Sequence, residues 1–83
     1  MNFKKNFSAE EIEELCSWFN ENADTLPESL QLDKSLFIKD LKYTIKLFIP
    51  LAKERRESQC FIGQIFLLFK IREKILTDRN QNG

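Results

Sequence analysis

The side chains that could do chemistry in this chain are cysteines, carboxylates and lysines, because the sequence contains no histidine. Histidine is the usual general acid or base near neutral pH, so the commonest route to acid–base catalysis is closed. Cys16 and Cys60 are too far apart for a zinc or redox CxxC motif. Both are expected to behave as small apolar residues in a reducing cytoplasm.

The sequence also lacks a motif for binding phosphates or cofactors. Gly63 is the only glycine before the C-terminal residue, and it stands alone in an apolar segment. A phosphate-binding loop needs several glycines whose backbone can approach the phosphates closely. We therefore predict a protein that is not an enzyme, with no catalytic residue, no metal ligand and no cofactor-binding residue.

Four lysines of the second predicted helix form the charged surface that most invites a ligand. At 100° per residue they cluster on one face, which consists of Lys39, Lys42, Lys46 and Lys53. Such a row could contact nucleic-acid phosphates. The chain, however, has 13 basic and 13 acidic residues, and no aromatic residue interleaves the row to stack on bases. An ordinary solvated helix face is the stronger interpretation.

Length and charge limit the possible architectures. A chain of 83 residues is expected to form a single domain over residues 1–83, with a stability of about 5 kcal/mol or less that association could supplement. Residues 1–33 carry two lysines and eight carboxylates, a net charge of −6, and residues 34–83 therefore carry +6. This distribution predicts an acidic first helix beside basic later helices. No signal peptide or membrane-spanning segment is expected, because no apolar run approaches about 20 residues.

The elements that must position these side chains are three predicted helices. The first covers about residues 8–21, with Ser8 as N-cap and Glu11 as its capping-box partner. A packed, irregular connector over 22–35 leads to a second helix over about 36–55, in which Pro50 is expected to cause a kink or break. The third helix covers about 59–78, before a frayed tail at 79–83. The predicted fold class is all-α, a small three-helix bundle.

The third helix is apolar nearly all round, which is typical of a central helix or an interface helix. Its core face is predicted to hold Ile62, Ile65, Phe69 and Leu76. The far side would then expose a candidate interface made of Cys60, Leu67, Ile71 and Ile75. The alternative is that the connector covers this side with its leucines, Leu26, Leu30 and Leu32.

Three segments carry a resemblance to a known family: Leu26-Pro27-Glu28 with Leu30 and Leu32-Asp33, then Ile38-Lys39-Asp40-Leu41, and finally Leu68-Phe69-Lys70-Ile71-Arg72-Glu73-Lys74-Ile75-Leu76. Together they resemble a small domain of unknown function found in Bacteroidetes bacteria, and the resemblance covers roughly Glu14 to Leu76. It implies a bacterial, intracellular protein and no particular substrate, cofactor or catalytic residue.

These observations favour a non-enzymatic protein–protein interaction or self-association module, expected to be a cytoplasmic homodimer that uses the outer face of the third helix. The alternative is an accessory nucleic-acid-binding protein that uses the lysine face of the second helix. No membrane partner is expected.

Overall fold

Within residues 7–56 and 58–82, the chain folds into three α-helices and one β-hairpin. The computed structural model describes these residues, except for the side chains of Gln59, Cys60 and Asn82. In chain order the elements are α1 (Ala9–Glu21), β1 (Leu30–Asp33), β2 (Leu36–Ile38), α2 (Leu41–Glu54) and α3 (Gln59–Asn82). A short 3₁₀ turn, Ala23–Thr25, follows α1. The predicted all-α class is wrong, because β1 and β2 form an antiparallel sheet inside this helical frame.

The start of α1 confirms the predicted capping box. The Ser8 backbone N–H donates to the Glu11 carboxylate at 3.0 Å, and the Glu11 N–H donates to the Ser8 hydroxyl at 3.1 Å. Each bond satisfies a backbone donor near the helix N-terminus, where intrahelical acceptors are lacking. Phe7, just before the cap, is buried and stacks on Phe69 with ring centroids 5.2 Å apart. The cap therefore also ties α1 to α3.

The hairpin spans the end of the predicted connector, where β1 lies, and the predicted start of the second helix, where β2 lies. Its turn is held by Asp33, whose Oδ1 accepts the backbone N–H groups of Ser35 at 2.8 Å and Leu36 at 3.1 Å. The Ser35 hydroxyl also donates to this oxygen, and these bonds hold the pKa of the Asp33 carboxyl below its ordinary value. Leu30 pairs with Ile38 across the sheet, and both side chains are buried.

Helix α2 begins at Leu41, five residues later than about residue 36, because β2 must end first. Asp40 makes the change of direction with a left-handed backbone at φ 49°. Downstream, α2 continues through Pro50 to Glu54, so the predicted break is absent. Leu41, Ile45 and Ala52 face the core, as the helical period requires.

Helix α3 extends to Asn82, so the tail that was predicted to fray is helical over its described residues. Arg79 holds this end against the end of α1. One guanidinium nitrogen donates to the Asn22 Oδ1 at 3.0 Å, and the other donates to the Thr25 hydroxyl at 2.7 Å. The guanidinium also lies 5.7 Å from the Trp18 ring centroid, within reach of a cation–π contact.

We expect Arg79→Ala to lower the free energy of unfolding by about 1 kcal/mol, because two hydrogen bonds and one ring contact are lost at an exposed site. Urea titration followed by circular dichroism measures this change. Asn80→Ala is the matched control, since Asn80 is the exposed neighbour on the same turn. Equal stability of the two variants would mean that Arg79 does not hold α3 against α1.

The core lies where all three helices meet the inner face of the hairpin. Its most deeply buried large side chains come from α1, α2 and α3: Phe19, Ile12, Leu15, Leu41, Ile65, Leu68, Ile71 and Cys16. Leu30 and Ile38 extend this cluster beneath the hairpin. The hairpin is therefore part of the core packing and not an appendage.

Candidate functional site

The interface predicted on α3 is not a free surface. Ile71 is 0% exposed, Ile75 is 4% exposed and Leu67 is partly buried against the core, while the side chain of Cys60 lies outside the described residues. The hairpin covers this side, because β1 contacts α3. Leu30 is buried, and Leu26 and Leu32 are partly buried against the core. The alternative in which the connector covers this side therefore holds for Leu30 and Leu32, which lie beside α3 residues, whereas Leu26 lies beside α2. Conversely, Leu76, predicted to be a core residue, is 39% exposed.

The four lysines predicted to share a face do not form one unpaired basic surface. Lys39 precedes α2 and is not part of it. The Lys42 Nζ lies 3.8 Å from an Asp24 carboxylate oxygen, and the Lys53 Nζ lies 3.6 Å from one of Glu13. These exposed pairs add little stability. They nevertheless place negative charge from α1 and the 3₁₀ turn beside two of the four cations.

Cys16 is poorly placed to act as a nucleophile. Its side chain is buried in the core, and burial raises the pKa of the thiol despite the opposing effect of the Lys53 ammonium. A raised pKa leaves less thiolate, which is the reactive form. Within residues 7–56 and 58–82, no group of three or more metal-ligating side chains is assembled.

One side of α2 presents apolar residues to solvent. Tyr43 is 65% exposed and Leu47 is 50% exposed, and the two are one helical turn apart. Pro50 is exposed on the next turn of the same side. We call Tyr43, Leu47 and Pro50 the α2 strip. On the hairpin, Phe37 is also exposed.

Beside the α2 strip, a groove runs between α2 and the segment that follows α1. Its inner part is a cavity of about 200 Å³ with apolar walls, which include Phe19, Ala23, Leu26, Ile45, Ile49 and Pro50. Its outer part is an open hollow of about 770 Å³ lined by Pro27, Glu28, Asp40 and Tyr43. Leu26, Lys42 and Lys46 line both parts and so join them. We call the two parts together the α2 groove.

Sequence reasoning placed Lys42 and Lys46 correctly on one side of α2 but missed the groove beside them. The groove needs Leu26 and Ala23 to lie across from α2, and this placement depends on the chain reversal after α1. The α2 strip had a signal in the sequence, since Tyr43 and Leu47 are four residues apart. The sequence analysis followed the apolar stripe that contains Leu41 and Ile45 and did not consider this second one.

The described residues form a small domain in which a β-hairpin connects the first two of three helices. The chain belongs to the family described as domain of unknown function DUF6965, whose model matches residues 10–77. The match extends from α1 into α3 and confirms the resemblance to a domain of unknown function. No curated protein and no solved structure matches the chain with significance. Among the described residues, no helix has both the length and the apolar character needed to cross a membrane.

Proposed function

We propose that this chain is a non-enzymatic protein–protein interaction module that self-associates as a homodimer through the α2 strip. The observation that carries the proposal is the exposure of Tyr43 and Leu47 on adjacent turns of one helix. Scattered exposed hydrophobic residues are normal, but a contiguous apolar strip on a small domain is typical of an interface. A domain of this size buries a limited apolar surface, and association increases its stability by burying more.

A two-fold symmetric pair of α2 helices fits this strip. Such an interface uses the same patch on both copies, so the patch must be complementary to itself. In an antiparallel arrangement, the apolar side chains of Leu47 and Pro50 can pack across the symmetry axis. Tyr43 suits the margin of such an interface, because its ring is apolar and its hydroxyl can remain hydrated.

The nucleic-acid alternative has weaker support. It relies on Lys39, Lys42, Lys46 and Lys53 acting together on a phosphate backbone. Lys42 and Lys53 have carboxylates within 4 Å, and Lys39 precedes the helix that was expected to align it with the others. A cytoplasmic location is part of the leading proposal.

Light scattering over a range of concentrations tests self-association. We expect a mass near twice 9.9 kDa for the unmodified chain and a mass near 9.9 kDa for Leu47→Glu, because the substitution places two like charges at the contact. Leu76→Glu is the matched control, since Leu76 is an exposed helical leucine outside the α2 strip. A monomeric unmodified chain, or a Leu47→Glu variant that stays dimeric, would contradict the proposal.

A further inference from the structure

We propose that the α2 groove binds a peptide segment of a partner protein in which an apolar side chain is followed by carboxylates. The apolar side chain enters the inner cavity, and the carboxylates contact Lys42 and Lys46. This inference rests on the proposed role as an interaction module. Tyr43 and Pro50 belong to both the groove and the α2 strip. Leu47 belongs to the strip alone and Ala23 and Lys46 to the groove alone, so variants at these three residues test the two surfaces separately.

The size of the inner cavity favours one side chain over a whole small molecule. Small-molecule sites are typically about 300–1,000 Å³ and bury most of the ligand. The inner cavity has a volume of about 200 Å³ and opens into the outer hollow. Phe19, Leu26, Ile45 and Ile49 supply apolar walls, so an aromatic or branched aliphatic side chain is the chemical match. The rest of a peptide can then lie along the outer hollow.

The charges of the groove select the sequence around the anchoring side chain. Lys42 and Lys46 are the charged residues that line the inner cavity, and both side chains are exposed. Lys42 has Asp24 at 3.8 Å, but the Asp24 side chain is fully exposed, so a peptide carboxylate can replace it at little cost. Glu28 and Asp40 line the outer hollow with negative charge. Carboxylates are therefore favoured beside the anchor and disfavoured toward the outer end.

Pro50 leaves one backbone acceptor of α2 without its usual helical donor. Proline has no backbone N–H, so the carbonyl of Lys46, four residues earlier, lacks its usual helical donor. Lys46 and Pro50 both line the inner cavity. A peptide N–H can therefore donate to this carbonyl while a neighbouring carboxylate contacts the Lys46 ammonium. An interior helical proline lowers helix stability, and its position at an apolar cavity suits a binding role.

Fluorescence anisotropy with a defined probe tests the proposal. The probe is a fluorescein-labelled heptapeptide with a central phenylalanine, three glutamates on one side and three glycines on the other. We expect saturable binding that weakens about five- to tenfold for Lys46→Glu, since an attraction between the exposed Lys46 ammonium and the probe carboxylates becomes a repulsion. Lys39→Glu makes the same change of charge outside the groove and should alter the affinity by less than about twofold.

Two further comparisons test the cavity and the charge separately. Ala23→Leu should fill part of the inner cavity and remove binding, while circular dichroism shows an unchanged helical spectrum. A probe with lysines in place of its glutamates, or with alanine in place of phenylalanine, should bind at least about tenfold more weakly. No binding of the first probe at millimolar concentration, equal binding of the lysine probe, or full affinity in Lys46→Glu would each overturn the proposal.

Failure of this inference is distinguishable from failure of self-association. Leu47→Glu should become monomeric and keep its affinity for the probe, because Leu47 does not line the groove. A monomeric unmodified chain that binds the probe would contradict the homodimer alone. A dimer that binds no probe, together with a monomeric Leu47→Glu variant that also binds none, would contradict the peptide site alone, because the monomer leaves Tyr43 and Pro50 uncovered.

Discussion

Ile71→Glu is expected to unfold the domain at room temperature. Ile71 is 0% exposed, in the centre of the α3 face that the hairpin covers. The substitution removes a large apolar side chain from the core and forces a carboxylate either to stay buried without a partner or to disrupt the packing. Either result destabilises by several kcal/mol, about as much as the whole stability of a domain of this size. Circular dichroism should show loss of the helical spectrum.

Two variants separate burial from surface effects at Ile71. Ile71→Val keeps the site apolar and should lower the free energy of unfolding by only about 0.5–1.5 kcal/mol. Leu76→Glu puts the same charge on the same helix at an exposed position and should remain folded. A folded, soluble Ile71→Glu variant would show that the hairpin does not cover α3, and the predicted interface on that face would become available again.

The start of α1 was predictable because its signals are local. A serine cap, a glutamate three residues later and apolar residues at helical spacing all act within one stretch of chain. Ser8 and Glu11 form the expected bonds with each other, and these bonds need no distant partner. The sequence alone is therefore sufficient to place such a terminus.

The second strand was mistaken for helix because its apolar residues also fit a helical pattern, and the first strand was assigned to the irregular connector. Phe37 and Leu41 are four residues apart, so they extend the stripe of α2 backward and suggest one long helix. The decisive interactions are the turn that Asp33 organises and the left-handed backbone of Asp40. Strands this short are stabilised by packing on α3, which the local sequence does not specify.

The face of α3 could not be assigned from its periodicity. A helix that is apolar nearly all round offers several possible core faces, and the choice among them depends on which elements pack against it. Ile71 was predicted to be exposed and Leu76 buried, and the reverse holds because the hairpin lies over Ile71. For the same reason the α2 groove needs the folded position of Leu26, although its two lysines were visible in the sequence.

Pro50→Ala is expected to stabilise the domain, a rare direction for a single substitution. Pro50 is an interior residue of α2, where proline typically destabilises a helix by about 3 kcal/mol relative to alanine. Alanine also gives the unfolded chain more freedom, which offsets up to about 1 kcal/mol. A net gain of about 2 kcal/mol should raise the melting temperature by roughly 8–16 °C in a domain of this size.

Pro50→Ala should also lower the affinity of the α2 groove for the peptide probe. A gain in stability together with a loss of affinity would show that Pro50 contributes to binding and is not merely tolerated in the helix. An alanine N–H restores a donor to the Lys46 carbonyl, so that carbonyl is less available to a peptide in the groove. Thr77→Ala, at an exposed position of α3, is the control, with an expected gain of about half a kcal/mol and no change in probe affinity. Lower stability of Pro50→Ala would mean that the packing of the proline ring outweighs the missing hydrogen bond. Higher stability with unchanged probe binding would remove the Lys46 carbonyl from the proposed site but leave the two ammonium groups in it.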